Sequence, residues 1–371
     1  MEKRAQAKVC AQRLNQFRSK KPADILMRLL CSVVFRSRLS ALKVSIARQR
    51  WRLQCIRFSL GLLCVVLPLT GFAGASAEQL TIIQPLSTLS HMDQPEITQL
   101  LFRPIQVSRN TPPAGAVDID IQVTNDVTIG CRLHSHAATS PTLIFFHGNG
   151  EIIPDYDEIG PMYVREGLNF LVAEYRGYGW STGTPLTSTL LPDSNIVFLA
   201  LKDWLRDHGY TGALFVMGRS LGSASAIDVA VNHSEAICGL IIESGFAKTL
   251  PLAKVLGVDL AKMGIAEEQT FNNSSKIAQF TKPTFILHGQ YDQLIPLWQA
   301  ETLQAESGAK SKEFQIVPGA DHNSLIVMAG PLYFEVIRKF VEKAAGTAPD
   351  WRQRRRQFKA QQEQTASGEK P

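Results

Sequence analysis

Three side chains of this 371-residue chain could share one reaction: Ser220, Asp292 and His322. Ser220 is the centre of the pentapeptide GRSLG, 218–222, directly after the apolar run 213–217. A serine hydroxyl is a weak nucleophile on its own, so a base must take its proton and a third group must hold that base in one tautomer. Gly218 and Gly222 mark a place where a strand and the following helix run too close together for a side chain. The run LFVMG precedes the serine, and LGSASAIDVAVNHS follows it with Leu221, Ala224, Ile227 and Val231 at helical spacing. That pattern predicts a strand, a sharp turn and a helix. The apolar run 283–287 leads into HGQYD, which ends in Asp292, and 314–317 leads into PGADHN, which contains His322. Serine, acid and histidine in that chain order, each just past an apolar strand, match a nucleophile elbow and its two partners.

In that reading His322 takes the Ser220 proton during attack and returns it to the leaving group, while Asp292 orients and stabilises the imidazole. The developing oxyanion needs preorganised donors. The backbone N–H of Leu221, next after the serine, is one. The other is expected from HGNGE, 147–151, which follows the apolar run 142–146; Asn149 or Gly150 supplies it, and Asn149 is preferred. His147 and His288 read as loop-structuring histidines, because one histidine suffices for the chemistry. Asp321 and Glu243 are rival acids, Glu243 because it also follows a strand, 240–242. Arg176 and Arg219 read as anchors of loops through ion pairs.

The segments FFHGNGE, YRGYGWSTG (175–183), GRSLGS, LHGQYDQLIP (287–296) and GADHN resemble the alpha/beta-hydrolase superfamily over roughly 115–345. Within it, the HGNG loop, the RGYG turn and FNNSSKIAQFTKPTFILHGQYD resemble ABHD-type membrane-anchored serine hydrolases and their bacterial relatives, some of them acyl-protein thioesterases. The resemblance implies an α/β fold with a mostly parallel, doubly wound sheet and a short helical lid, 247–281, between strands 6 and 7. It implies an ester- or thioester-cleaving serine hydrolase that needs no cofactor and no metal. Glu174 stands where that group often has aspartate, Ser223 where it often has glycine, and 184–192 matches poorly. These departures spare the three reactive residues and weaken any transfer of substrate. A serine peptidase of the same fold, or an idle hydrolase-like binding protein, is the competing reading. Aspartate in place of Ser220 would mark a dehalogenase; serine excludes it.

A formal charge of +6 suggests nucleic acid or membrane until it is located along the chain. Residues 1–57 hold 15 Lys and Arg against 2 acidic residues, 351–371 hold 6 against 2, and 78–350 hold 18 against 29. The body is therefore acidic between two basic tails, which disfavours a nucleic-acid partner. Residues 58–77 carry no charge and are rich in leucine and valine. They read as a signal peptide cut after Ala75, Ser76 and Ala77, or as an uncleaved anchor, with a mitochondrial presequence as a weaker third reading. Either of the first two leaves 1–57 in the cytosol and the body on the non-cytoplasmic side, periplasmic or secreted in a bacterium.

The expected organisation is a basic segment 1–57, the apolar segment 58–77, an extension 78–114, the hydrolase domain 115–345 and a polar tail 346–371. Within the domain, 119–123 and 127–133 predict a hairpin about Asn125 and Asp126. Residues 171–173 predict a strand, 196–205 and 333–344 helices. The lid interval carries abundant apolar surface for an acyl pocket or for core packing, and Tyr178 and Trp180 are expected at the site's mouth. Four of six cysteines fall at or before residue 64, and Cys131 and Cys238 read as buried free thiols.

Overall fold

The computed structural model describes residues 89–348 together with 355 and 356. The segments 1–57 and 58–77, and the tail beyond 348 apart from those two residues, lie outside the described residues. Eight strands form one sheet in the order β1-β2-β4-β3-β5-β6-β7-β8. They are β1 (Ala116–Thr124), β2 (Val127–His134), β3 (Thr142–Phe146), β4 (Asn169–Ala173), β5 (Leu214–Arg219), β6 (Gly239–Glu243), β7 (Thr284–Gly289) and β8 (Lys312–Val317). β2 pairs antiparallel with both β1 and β4, and every pairing from β4 onward is parallel.

Burial explains this order. β3, β4, β6 and β7 are buried at every residue, as strands covered on both faces must be. β1 alternates exposed and buried positions along most of its length, as an edge strand with one wet face does. Because successive side chains point to opposite faces, Ile144, Phe146, Val216, Leu240 and Ile242 share one core with the helices α3 (Thr187–Asp207) and α4 (Gly222–Asn232). Leu143, Phe145, Phe215, Met217 and Ile241 share the other with α2 (Gly160–Arg165) and α7 (Pro331–Ala344). This is the doubly wound α/β arrangement expected from the sequence.

Two elements differ from expectation. α3 begins at Thr187, nine residues before the apolar periodicity at 196, and holds Pro192 inside it. A proline there removes one i→i−4 bond. The first turns are held from outside instead, since Asp93 accepts from the Ser188 N–H at 3.0 Å and from its hydroxyl at 2.5 Å, and Thr187 Oγ1 donates to the Met92 carbonyl. Residues ahead of 115 therefore join the body: Met92 and, on α1 (Pro95–Leu101), Ile97 and Leu101 are buried in the α3 core. The interval 247–281 contains α5 (Thr249–Leu256), a 3-10 turn (Glu267–Gln269) and α6 (Asn273–Ile277). Most of its apolar surface packs inward, with Leu252, Val258, Leu260 and Ile265 buried, while Val255 and Met263 stay exposed. Among the described residues no helix is long and apolar enough to cross a membrane.

The junction of β5 with α4 is the tightest point. A Cβ on Gly222 would overlap the carbonyl oxygens of Phe146 and His147, and one on Gly218 would overlap the Gly222 carbonyl. Gly222→Ala is therefore expected to destabilise the fold by roughly 3 kcal/mol, since backbone cannot yield as a side chain tip can. Thermal unfolding should show the midpoint falling by roughly 6–12 °C; a midpoint equal to the parent's would contradict the close approach.

Candidate active site

β5 delivers Ser220 one residue past its end, at φ 52°, a left-handed conformation that costs a non-glycine residue about 1 kcal/mol or more. The Ser220 N–H donates to the Glu243 carbonyl at 2.9 Å, fastening the turn to the end of β6. β7 ends in the loop that carries Asp292, and β8 in the loop that carries His322. Asp292 Oδ1 accepts from the N–H groups of Leu294 and Ile295 at 3.0 and 2.8 Å, which fixes the carboxylate. Its Oδ2 lies 2.7 Å from His322 Nδ1, and His322 Nε2 lies 2.9 Å from Ser220 Oγ. A carboxylate only accepts, so Nδ1 carries the proton toward Asp292, and in the neutral ring that leaves Nε2 to accept from the serine hydroxyl. Ser220 and His322 are buried, at 7% and 8% exposed.

The other histidines face different partners. His147 Nε2 lies 2.9 Å from Glu174 Oε2 and its Nδ1 lies 2.8 Å from the Gly148 carbonyl. Both partners only accept, so both ring nitrogens donate and the ring has no lone pair to act as a base. Burial works against that charge, but the hydrogen bond and charge of Glu174 outweigh it and raise the His147 pKa. His288 Nε2 donates to the Ile295 carbonyl at 2.7 Å, and burial lowers its pKa. Glu243, the rival acid, accepts from Tyr333 Oη at 2.5 Å, and burial raises its pKa against the pull of Arg219. Asp321 is exposed and bonds Ser324 and Asn323 instead.

The loop after β3 meets the elbow at Gly222. Among the described residues, the N–H groups of Leu221 and Asn149 donate to no acceptor, whereas the Gly148 N–H donates to Glu151 at 2.7 Å. Asn149 Oδ1 accepts from Tyr178 Oη and from the Arg103 N–H, both at 2.7 Å. Tyr178 is thus buried beneath the loop. Trp180, expected at the mouth, instead donates to Asp120 on β1 and lies under the guanidinium of Arg132, so it belongs to the β1–β2 edge. Arg176 pairs with Asp193 on α3. Cys238 is half-buried rather than buried, and both Cys131 and Cys238 are free thiols. No cluster of three or more metal-ligating side chains occurs among the described residues.

Residues 137–267 match the family model described as serine aminopeptidase, S33. The chain is 26% identical over 237 residues to alpha/beta hydrolase domain-containing protein WAV2 of Arabidopsis thaliana, covering 58% of this chain and 76% of that protein. It is 28% identical over 233 residues to protein bem46 of Schizosaccharomyces pombe, covering 60% and 75%. The fold matches the esterase Pf2001 of Pyrococcus furiosus with a TM-score of 0.54 at 18% identity, covering 66% of this chain and 98% of that one. The fold is that of the alpha/beta hydrolases, and the relatives it resembles are of the ABHD type. In this hydrolase the elbow, the β3 loop and the β7 and β8 loops gather at the carboxyl ends of parallel strands, where such sheets open a crevice.

What the sequence did not disclose is which loops Arg219 joins, because Glu151 and His322 lie 68 and 103 positions from it. Paired charges in the vicinity give a pH test through His147. A histidine whose pKa rises on folding stabilises the native state below its unfolded pKa of about 6.5 and loses that contribution as pH climbs through the folded value. Glu174→Gln should therefore lower the unfolding midpoint more at about pH 6 than at about pH 9. An equal drop at both would show that the pair carries no proton-linked stability.

Proposed function

We propose that the protein is a serine hydrolase that cleaves carboxylic esters or thioesters through an acyl-enzyme. The observation that carries this reading is the continuous relay Ser220 Oγ–His322 Nε2 at 2.9 Å and His322 Nδ1–Asp292 Oδ2 at 2.7 Å. Ser220 Oγ attacks the acyl carbon as its proton passes to His322 Nε2, and Asp292 stabilises the imidazolium so formed. The unengaged N–H groups of Leu221 and Asn149 are assigned to the oxyanion. Collapse of the tetrahedral intermediate breaks the bond to the alkoxide or thiolate, which takes the proton from His322. Water then attacks the acyl-enzyme with His322 as base, releasing the acid and restoring Ser220.

The substrate is a small acylated molecule or an acylated partner, and no step calls for a cofactor. The acidic body between 78 and 350 supports no nucleic-acid role. The esterase named among the solved structures favours esters. The family model's description, serine aminopeptidase, favours amide cleavage as the second reading. Steady-state hydrolysis of acyl esters and acyl thioesters of graded chain length, alongside aminoacyl amides, separates them. Ester or thioester turnover that disappears in Ser220→Ala and falls roughly 10³–10⁴-fold in kcat in Asp292→Asn supports the proposal. Turnover confined to aminoacyl amides would replace it with the peptidase reading.

We also assign the uncharged segment 58–77 to membrane targeting, which places the body on the non-cytoplasmic side. Fractionation of cells expressing the full chain, with N-terminal sequencing of the product, distinguishes an N-terminus at Glu78 from a retained anchor. A full-length product in the soluble cytosol would contradict both.

A further inference from the structure

We infer that Arg219, the residue before the nucleophile, is a positioning residue that clamps the His322 loop and the oxyanion-side loop into one frame. This inference rests on the serine-hydrolase reading of the site. Its guanidinium contacts three segments at once. Nη2 donates to the His322 carbonyl at 2.8 Å and to Asn323 Oδ1 at 2.9 Å. Nη1 donates to Glu151 in the loop after β3, and Nε lies 3.4 Å from Glu243 Oε1 at the end of β6.

Each of those partners extends the frame. Glu151 Oε2 also accepts from the Gly148 N–H at 2.7 Å and from Tyr156 Oη at 2.5 Å, so the carboxylate held by Arg219 is the one that shapes the loop beside Asn149. Glu243 supplies the carbonyl that receives the Ser220 N–H and the carboxylate that receives Tyr333 Oη. The Arg219 side chain is 12% exposed, and the charges of Glu151 and Glu243 hold it protonated in spite of burial. Arg219 also lines a cavity of about 250 Å³ together with Glu151, Tyr156, Glu243, Asn323 and Tyr333.

A planar fork of five donors can span these acceptors; an ammonium with three donors on a flexible stem keeps the charge and loses the span. Displacing the base relative to the serine by a fraction of an ångström should slow chemistry without altering ground-state binding, because a misplacement near 1 Å costs about 10²-fold.

The test measures kcat and KM of the full-length protein on an acyl ester for the parent, Arg219→Lys and Asn323→Ala, with active sites counted by fluorophosphonate titration. Arg219→Lys preserves the charge between the two carboxylates, and Asn323→Ala alters an exposed side chain in case the lysine variant does not fold. The expected result is a loss in kcat per titrated site of roughly 10- to 100-fold for Arg219→Lys and a smaller loss for Asn323→Ala, with KM within about twofold of the parent. A lysine variant with parental kcat per site, or with its whole loss in KM, overturns the inference. So does a parental kcat in Asn323→Ala where the lysine variant cannot be folded. A parent that neither labels nor turns over ester fails at the prior reading, and the inference falls with it.

Discussion

The close backbone approach at Gly222 is the constraint on which the site depends. With no side chain at that position, the start of α4 can rest against the carbonyls of Phe146 and His147 at the end of β3. The turn between β5 and α4 then has only Ser220 and Leu221 in which to reverse direction, and Ser220 is driven to φ 52°. The strain is tolerated because both flanks are over-determined: β5 is hydrogen-bonded between β3 and β6, and α4 is buried along nearly its whole length. The same contact places the loop after β3 beside the serine, which is where donors for a developing oxyanion are needed.

Charge is arranged around that frame so that, of the three histidines near it, His322 is the one that faces the serine. His147 is surrounded by acceptors that hold its pKa up, His288 has one nitrogen committed to a carbonyl, and His322 presents Nε2 to the serine. The carboxylates divide in the same way. Asp292 is held by two backbone N–H groups and faces His322, whereas Glu243 is turned toward Tyr333 and Arg219. Burying Glu151, Glu243 and Arg219 together is costly unless all are paired, so the cluster is stable as a set and intolerant of losing one member.

Much of this was legible in the sequence because the relevant signals are local. Apolar runs followed by Ser220, Asp292 and His322 disclosed three strand ends, and the hairpin about Asn125 and Asp126 follows from turn chemistry. The start of α3 was hidden because Pro192 and the polar residues near Thr187 argue against a helix, and the groups that stabilise it, Met92 and Asp93, are almost 100 positions away. The joining of 89–103 to the body was hidden for the same reason: Arg103 contributes through its backbone N–H to Asn149, and a backbone group leaves no trace in residue type. Trp180 was misplaced because an aromatic residue after a strand end reads equally as a mouth or an edge residue. The binding of Arg132 and Asp120 decides for the edge.

The central claim is that Ser220 is an activated nucleophile. Intact-mass and peptide mass spectrometry of the full-length protein after treatment with a fluorophosphonate tests it most directly, because the reagent traps a serine only where a base has made it nucleophilic. The account predicts a single covalent adduct on Ser220 that is lost in His322→Ala while that variant stays folded. A folded parent that remains unmodified, or that carries its adduct on another serine, would contradict it.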